Sequence, residues 1–188
     1  MLSILVILGI VVFAAIFLTG IFNRFVKNKN LVNDAWSNVD VILKQRHDLI
    51  PSLVNIVKAY AKHEQSTLRD IVKARNAAIS AKEDGDINAQ IKTEKELGQV
   101  LGQLNVAVEA YPELKANQNF LNLQQQLSKI EETLARSRRY YNGTVRENNT
   151  YGESIPGVVF AGMFKFKHFD FYEIEDPERQ NVTVNFDS

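Results

Sequence analysis

The first charged side chain in this sequence is Arg24, and residues 1–22 (MLSILVILGIVVFAAIFLTGIF) carry only Ser3 and Thr19 as polar side chains. Such a run belongs either in a bilayer or in a cleaved leader. As a helix rising about 1.5 Å per residue it reaches about 33 Å, enough for a hydrocarbon core of about 30 Å. A leader would need a basic start, an apolar stretch of about 7–15 residues and a small-x-small cleavage site. Nothing basic precedes this run, and Phe17-Leu18-Thr19-Gly20 is a poor cleavage site. Residues 1–23 are therefore read as a retained transmembrane anchor. Arg24, Lys27 and Lys29 follow it with no acid before Asp34. By the positive-inside rule this places the N-terminus outside and the body in the cytoplasm.

From Val32 the apolar positions run Val32, Trp36, Val39, Leu43, then Arg46, then Ile50, Leu53, Val57 and Tyr60. Steps of four and three describe a helix seam, not a strand. No breaker separates it from the anchor, so the two are expected to be continuous. Pro51 lies inside the pattern, removes the hydrogen bond to the His47 carbonyl and should kink the helix. A second seam holds Leu68, Ile71, Val72, Ala78 and Ile79, with a capping box suggested by Ser66 or Thr67 and Asp70. Residues 61–66 contain no Gly or Pro, so residues 24–83 could be one helix or two. Asp84-Gly85-Asp86 is a turn. A third seam runs from Ile87 to Tyr111 and closes at Pro112, and a fourth runs Phe120, Leu123, Leu127, Ile130, Leu134, Arg138, Tyr141, Val145 before Gly152 and Pro156.

The fold class is thus all-α: an N-terminal transmembrane helix plus an antiparallel up-and-down four-helix bundle over residues 24–157. Trp36, Leu43, Leu53, Leu101, Leu127 and Leu134 are expected in its core. An even number of helices returns residue 151 to the level of residue 24, beside the membrane. Residues 158–172 then form an aromatic membrane-proximal segment. Phe160, Phe164, Lys165, Phe166, Lys167 and Phe169 are candidate membrane-surface contacts, with capping of the bundle core as the rival reading. Residues 173–188 form an acidic tail, expected to be poorly ordered when alone. Gly98 and Gly102 sit four apart, so close packing is expected there, with Trp36 lying over them.

Three blocks of sequence go further. AWSNVDVILKQRHDLIPSLVNIVKAYAKHE (35–64), LGQLNVAVEAYPELKANQNFLNLQQQL (101–127) and ARSRRYYNGTV (135–145) resemble, in order and spacing, the LemA family. The resemblance covers residues 1–165 and omits the tail after Tyr172. It implies a bacterial protein with one N-terminal transmembrane helix and an antiparallel helical-bundle body. No catalytic residue and no settled biochemical role are assigned to that family. Where the family has Phe-Pro after the last helix, this sequence has Ile155-Pro156.

The residues exclude several functions. Lys plus Arg is 22 and Asp plus Glu is 22, and the zero net charge argues against a nucleic-acid binder. With no cysteine there is no thiol nucleophile, disulfide scaffold, zinc ribbon or lipoprotein anchor. His63-Glu64 opens like a zincin motif, but Thr67 stands where the second histidine would be. The histidines are expected to face solvent, and neither a metal nor a cofactor is expected. Asp40 and Lys44 read as a surface pair one turn apart. Arg46 and Arg138 occupy apolar seam positions. Together with Asp48 and Glu94 they are candidates for an interhelical polar layer that fixes register. The expected function is a membrane-anchored interaction or scaffold module, not an enzyme, whose partner is the membrane together with a second protein or a further copy of itself. The alternative is a sensor of a small molecule or lipid headgroup.

Overall fold

The computed structural model describes residues 1–61 and 63–172. The expectation for the tail, residues 173–188, lies outside the described residues. Helix α1 runs unbroken from Leu2 to Tyr60, 59 residues or about 88 Å. The anchor and the first bundle helix are one rod. Residues 2–20 are exposed apart from the half-buried Leu18, and burial begins at Ile21. The membrane-length part of α1 therefore projects bare from the body.

Pro51 does not end α1. The His47 carbonyl, which loses its partner to the proline ring, accepts instead from Arg75 Nε of the second helix at 2.8 Å. Helix α1 ends at Tyr60 and the next helix starts at Gln65, so residues 24–83 form two helices. Helix α2 spans Gln65–Glu83. No side chain caps its start; Thr67 Oγ1 donates to Glu64 Oε2 rather than acting in a box with Asp70. Gly85, at φ 71°, makes the turn that Asp84-Gly85-Asp86 promised. Helix α3, Ile87–Val108, starts on the Asp86 carboxylate, which accepts from Asn88 and Ala89 N–H. Pro112 opens the single turn α4, Pro112–Lys115, and Asn117 caps α5, Gln118–Glu153.

Helix α1 packs antiparallel on α5, and α2 pairs with α3. The core has three tiers along α1. The tier far from the anchor holds Ile50, Leu53, Val57, Leu97, Leu101, Leu104 and Phe120. The middle tier holds Val32, Val39, Leu43, Leu134, Tyr141 and Val145, with Phe169 and Tyr172. The tier beside the anchor holds Ile21, Phe25 and Tyr151. Leu43, Leu53, Leu101 and Leu134 are buried as expected, and Trp36 and Leu127 are partly buried against the same clusters. The chain does return to its starting end. Tyr151 meets Phe25 edge to face at 4.9 Å between centroids, and the Arg24 guanidinium lies 4.7 Å over the Tyr151 ring.

The glycine pair behaves differently from the expectation. Trp36 lies against Tyr141 and Tyr172, not over Gly98. A Cβ at Gly98 would stand 3.2 Å from an Arg46 guanidinium nitrogen, and one at Gly102 would meet nothing. Gly98 makes room for a buried cation rather than for a neighbouring backbone.

Candidate functional site

The middle of the bundle contains a buried ionic layer. The Arg46 guanidinium enters from α1 with 4% of its surface exposed and reaches Glu94 Oε2 of α3 at 3.2 Å. His47, its neighbour on α1, places Nε2 2.6 Å from Glu94 Oε1. With Glu94 ionised, that ring N–H donates. Glu131 of α5 adds a second carboxylate 2.8 Å from Arg46 Nε, although the N–H is not aligned for a hydrogen bond. Glu94 is 1% exposed. An isolated carboxylate there would suffer a large desolvation penalty, which the Arg46 guanidinium and the His47 ring on α1 offset. The layer therefore ties α1, α3 and α5 at one height.

Two of the four residues proposed for this layer hold it together, Arg46 and Glu94. Asp48 does not belong. It is exposed and bonds Lys44 at 2.6 Å, which holds its carboxyl below the usual carboxylate value. Because Lys44 turns to Asp48, Asp40 is not its partner. Asp40 instead accepts from Gln90 Nε2 at 2.8 Å and pairs with Lys82 at 2.7 Å, across to α3 and α2. Arg138 stands at the rim of the layer, its guanidinium 5.4 Å over the Tyr172 ring.

Sequence reasoning missed His47, Glu131 and Tyr172. His47 is buried, while His63 and His168 are exposed. The missed signal was available. His47 lies four after Leu43 and three before Ile50, so it satisfies the seam as well as Arg46 does. Glu131 stands in the same relation to Leu127 and Leu134, where Ile130 had been assigned. Tyr172 had no such signal, because it arrives by a loop. Burial, and then the Glu94 carboxylate, pushes its phenol up to about 12.

That loop is the second notable feature. After α5 the chain makes the single turn α6, Gly157–Phe160, and runs back along α5 to Tyr172. Side-chain amides on α5 hold it. Asn149 accepts from Phe169 N–H at 3.1 Å and donates to the Phe169 carbonyl at 2.8 Å. Asn142 treats Tyr172 in the same way, at 2.8 and 3.1 Å. Asn148 donates to the Lys167 carbonyl, and Tyr141 Oη to that of Asp170. Asn142 and Asn149 are two helical turns apart, about 10.5 Å, and three residues of extended chain cover about 10 Å. The amides thus meet matching peptide groups on the strap.

The strap corrects the membrane-contact set. Phe169 is 5% exposed and belongs to the middle core tier. Phe160, Phe164 and Phe166 are half-buried and pack around Ile21, Phe25 and Tyr151. Phe25 lies 5.9 Å from Phe164 and 5.7 Å from Phe166. A Cβ at Gly152 would collide with the Phe166 ring. Only Lys165 and Lys167 of the six candidates are exposed. The exposed apolar side chains at this corner are others: Ile155, Val158, Val159 and Met163.

Two clefts open on the bundle, one of them beside the ionic layer. One, of about 500 Å³, lies between α3 and α5 and is lined by Arg46, Gly98, Gly102, Gln124, Leu127 and Glu131 among others. The other, of about 450 Å³, lies between α1 and α5 beside Val41, Arg136 and Tyr140. Among the described residues no three His, Asp or Glu side chains gather as a metal site.

An all-helical body joined without interruption to a membrane-length apolar helix defines a class, the membrane-associated helical-bundle proteins. Within that class this chain belongs to the LemA family, whose sequence profile matches residues 35–186. The match extends into the tail, which the resemblance read from the sequence had left out. Protein LemA of Metamycoplasma hominis is 24% identical over 120 residues, covering 64% of this chain and 54% of its own. Magnetosome protein MamQ of Magnetospirillum gryphiswaldense is 23% identical over 174 residues, 80% of this chain and 64% of its own. Magnetosome protein MamQ 2 of Paramagnetospirillum magneticum is 22% identical over 195 residues, 92% of this chain and 71% of its own. The chain spans about half the length of the LemA relative.

Proposed function

We propose that this protein is a membrane-tethered interaction module that presents a rigid helical bundle to a protein partner or to further copies of itself. The observation that carries the reading is the continuity of α1. One helix without a hinge joins the anchor to the far end of the bundle, so the body's surfaces stand at fixed heights above the bilayer. The polar layer supports it, because the buried Arg46, His47 and Glu94, with the half-exposed Glu131, face one another and lock register. The relatives named as magnetosome proteins support an association with a membrane compartment. Arg24, Lys27 and Lys29 favour a cytoplasmic body at a bacterial inner membrane. The proposal gives the chain no catalytic role.

Crosslinking in intact membranes followed by affinity isolation tests the module. Recovery of a discrete crosslinked homo-oligomer or hetero-complex is expected. A body that stays monomeric and uncrosslinked would end the proposal. Protease applied to spheroplasts tests orientation: the body should be protected until the cells are opened.

A second reading rests on the cleft between α3 and α5. There the buried Arg46 and the half-exposed Glu131 lie beside about 500 Å³ of open space, as a small-molecule sensor would require. A ligand-dependent rise in melting temperature, abolished by Gly102→Leu, would favour it over the interaction module.

A further inference from the structure

We propose that the α5–α6 corner is a second membrane contact, an apolar wedge set into the lipid interface beside the anchor through Ile155, Val158, Val159 and Met163. These side chains are 83%, 47%, 68% and 70% exposed, although the rings next to them in sequence, Phe160 and Phe164, are half-buried. The level of the corner on α1 is defined by contacts. Phe164 meets Phe22 at 5.3 Å, and Tyr151 Oη lies 3.5 Å from the Ile21 carbonyl. Gly157 sits beside Phe25.

If residues 2–20 cross the hydrocarbon, about 28 Å of helix, the corner lies where the helix leaves it. The inference rests on that reading of the anchor. Four exposed apolar side chains clustered at that height would be costly in water and favourable at a headgroup boundary. Charge agrees: Arg24, Lys27, Lys165 and Lys167 are exposed around the corner, with Glu153 as the nearby acid paired to His168. Such cations suit anionic headgroups. The packed aromatics Phe25, Phe164 and Phe166 then have a structural task. They brace the wedge against α1 so that it cannot swing away from the bilayer.

The test uses the full chain in vesicles of phosphatidylcholine with and without phosphatidylglycerol. The absence of cysteine makes single-site nitroxide labelling direct. Labels go on Val159→Cys and Met163→Cys, with Phe13→Cys as the lipid reference and Val106→Cys, at the far end of α3, as the aqueous one. The labels at 159 and 163 should be more accessible to oxygen, and less to a water-soluble nickel chelate, than the label at 106. That shift should grow with phosphatidylglycerol and shrink in Lys165→Glu/Lys167→Glu. Labels at 159 and 163 as aqueous as at 106, while 13 reads as lipid, would overturn the wedge and leave the anchor standing. An aqueous label at 13 would overturn both. Dipolar broadening at 159 that vanishes on dilution with unlabelled protein would assign the patch to a second copy and overturn the lipid contact. A charge variant with an unchanged profile would remove the cations from the account.

Discussion

Glu94 is the acid on which two buried α1 side chains depend. Replacing it by Gln keeps the shape but leaves Arg46 with Glu131 alone and His47 with no anion. Breaking a buried ion pair from one side costs about 3–5 kcal/mol. Glu94→Gln should therefore lower the melting temperature clearly, and Asp48→Asn, at an exposed pair, should hardly change it. Thermal melts of the two variants provide the comparison. Equal effects would mean that the layer carries little of the stability.

Tyr141 and Tyr172 make a pH prediction. Burial pushes both phenols up to about 12, against an ordinary 10.0; the Asp170 carboxylate adds to this at Tyr141 and Glu94 at Tyr172. The folded state thus holds these protons more tightly than the unfolded chain. Their contribution is complete below pH 10.0 and is lost as the pH climbs toward 12. Denaturant midpoints measured across that window should fall, and fall less in Tyr172→Phe. A parallel fall in that variant would exclude Tyr172 as a source.

Among the elements, α1 carries a proline inside it without ending. A proline inside a helix usually costs about 3 kcal/mol or more, partly through the carbonyl it orphans. Here Arg75 of α2 serves that carbonyl. Arg75→Ala should cost about 1 kcal/mol in the parent chain, because it leaves a partly buried acceptor unsatisfied. In a Pro51→Ala background the helix supplies its own N–H, so the same substitution should cost much less. A double-mutant cycle on denaturant midpoints measures the difference. Additive effects would show that the Arg75 bond is incidental.

The strap offers a steric prediction at the same scale. Gly152 bears the Phe166 ring, so Gly152→Ala must push that ring off α5. Hydrogen exchange at the Phe169 and Tyr172 amides, both bonded to α5 asparagines, should speed up while α2 and α3 stay protected. Unchanged exchange would mean that the strap is held without Phe166.

At the scale of the whole molecule, the loop-borne strap completes a core that helices alone leave open. Phe169 and Tyr172 fill the middle tier, and the Tyr172 ring lies 6.1 Å from Trp36, the chain's one tryptophan. Ending the chain after Gly162 should expose Trp36, shift its emission to the red and lower the melting temperature. A blue emission equal to the parent's would show that the helices close over the gap unaided.

The sequence by itself determined the all-α class, the membrane-length apolar run and the return of Tyr151 to the end of that run. Those follow from local quantities: apolar steps of three and four, a charge-free run and the Asp84-Gly85-Asp86 turn. It also marked Arg46 and Glu94, since a charge on a seam must find a partner. Tertiary structure decided which partner. Seam periodicity allows His47 as readily as Arg46 and Glu131 as readily as Ile130, and the choice depends on the rotation of each helix against its neighbours. It also decided that Phe169 and Tyr172 turn inward while Val159 and Met163 stay out. A strap held by side-chain amides has no repeat of its own, so its sidedness is set by the surface of α5 on which it lies.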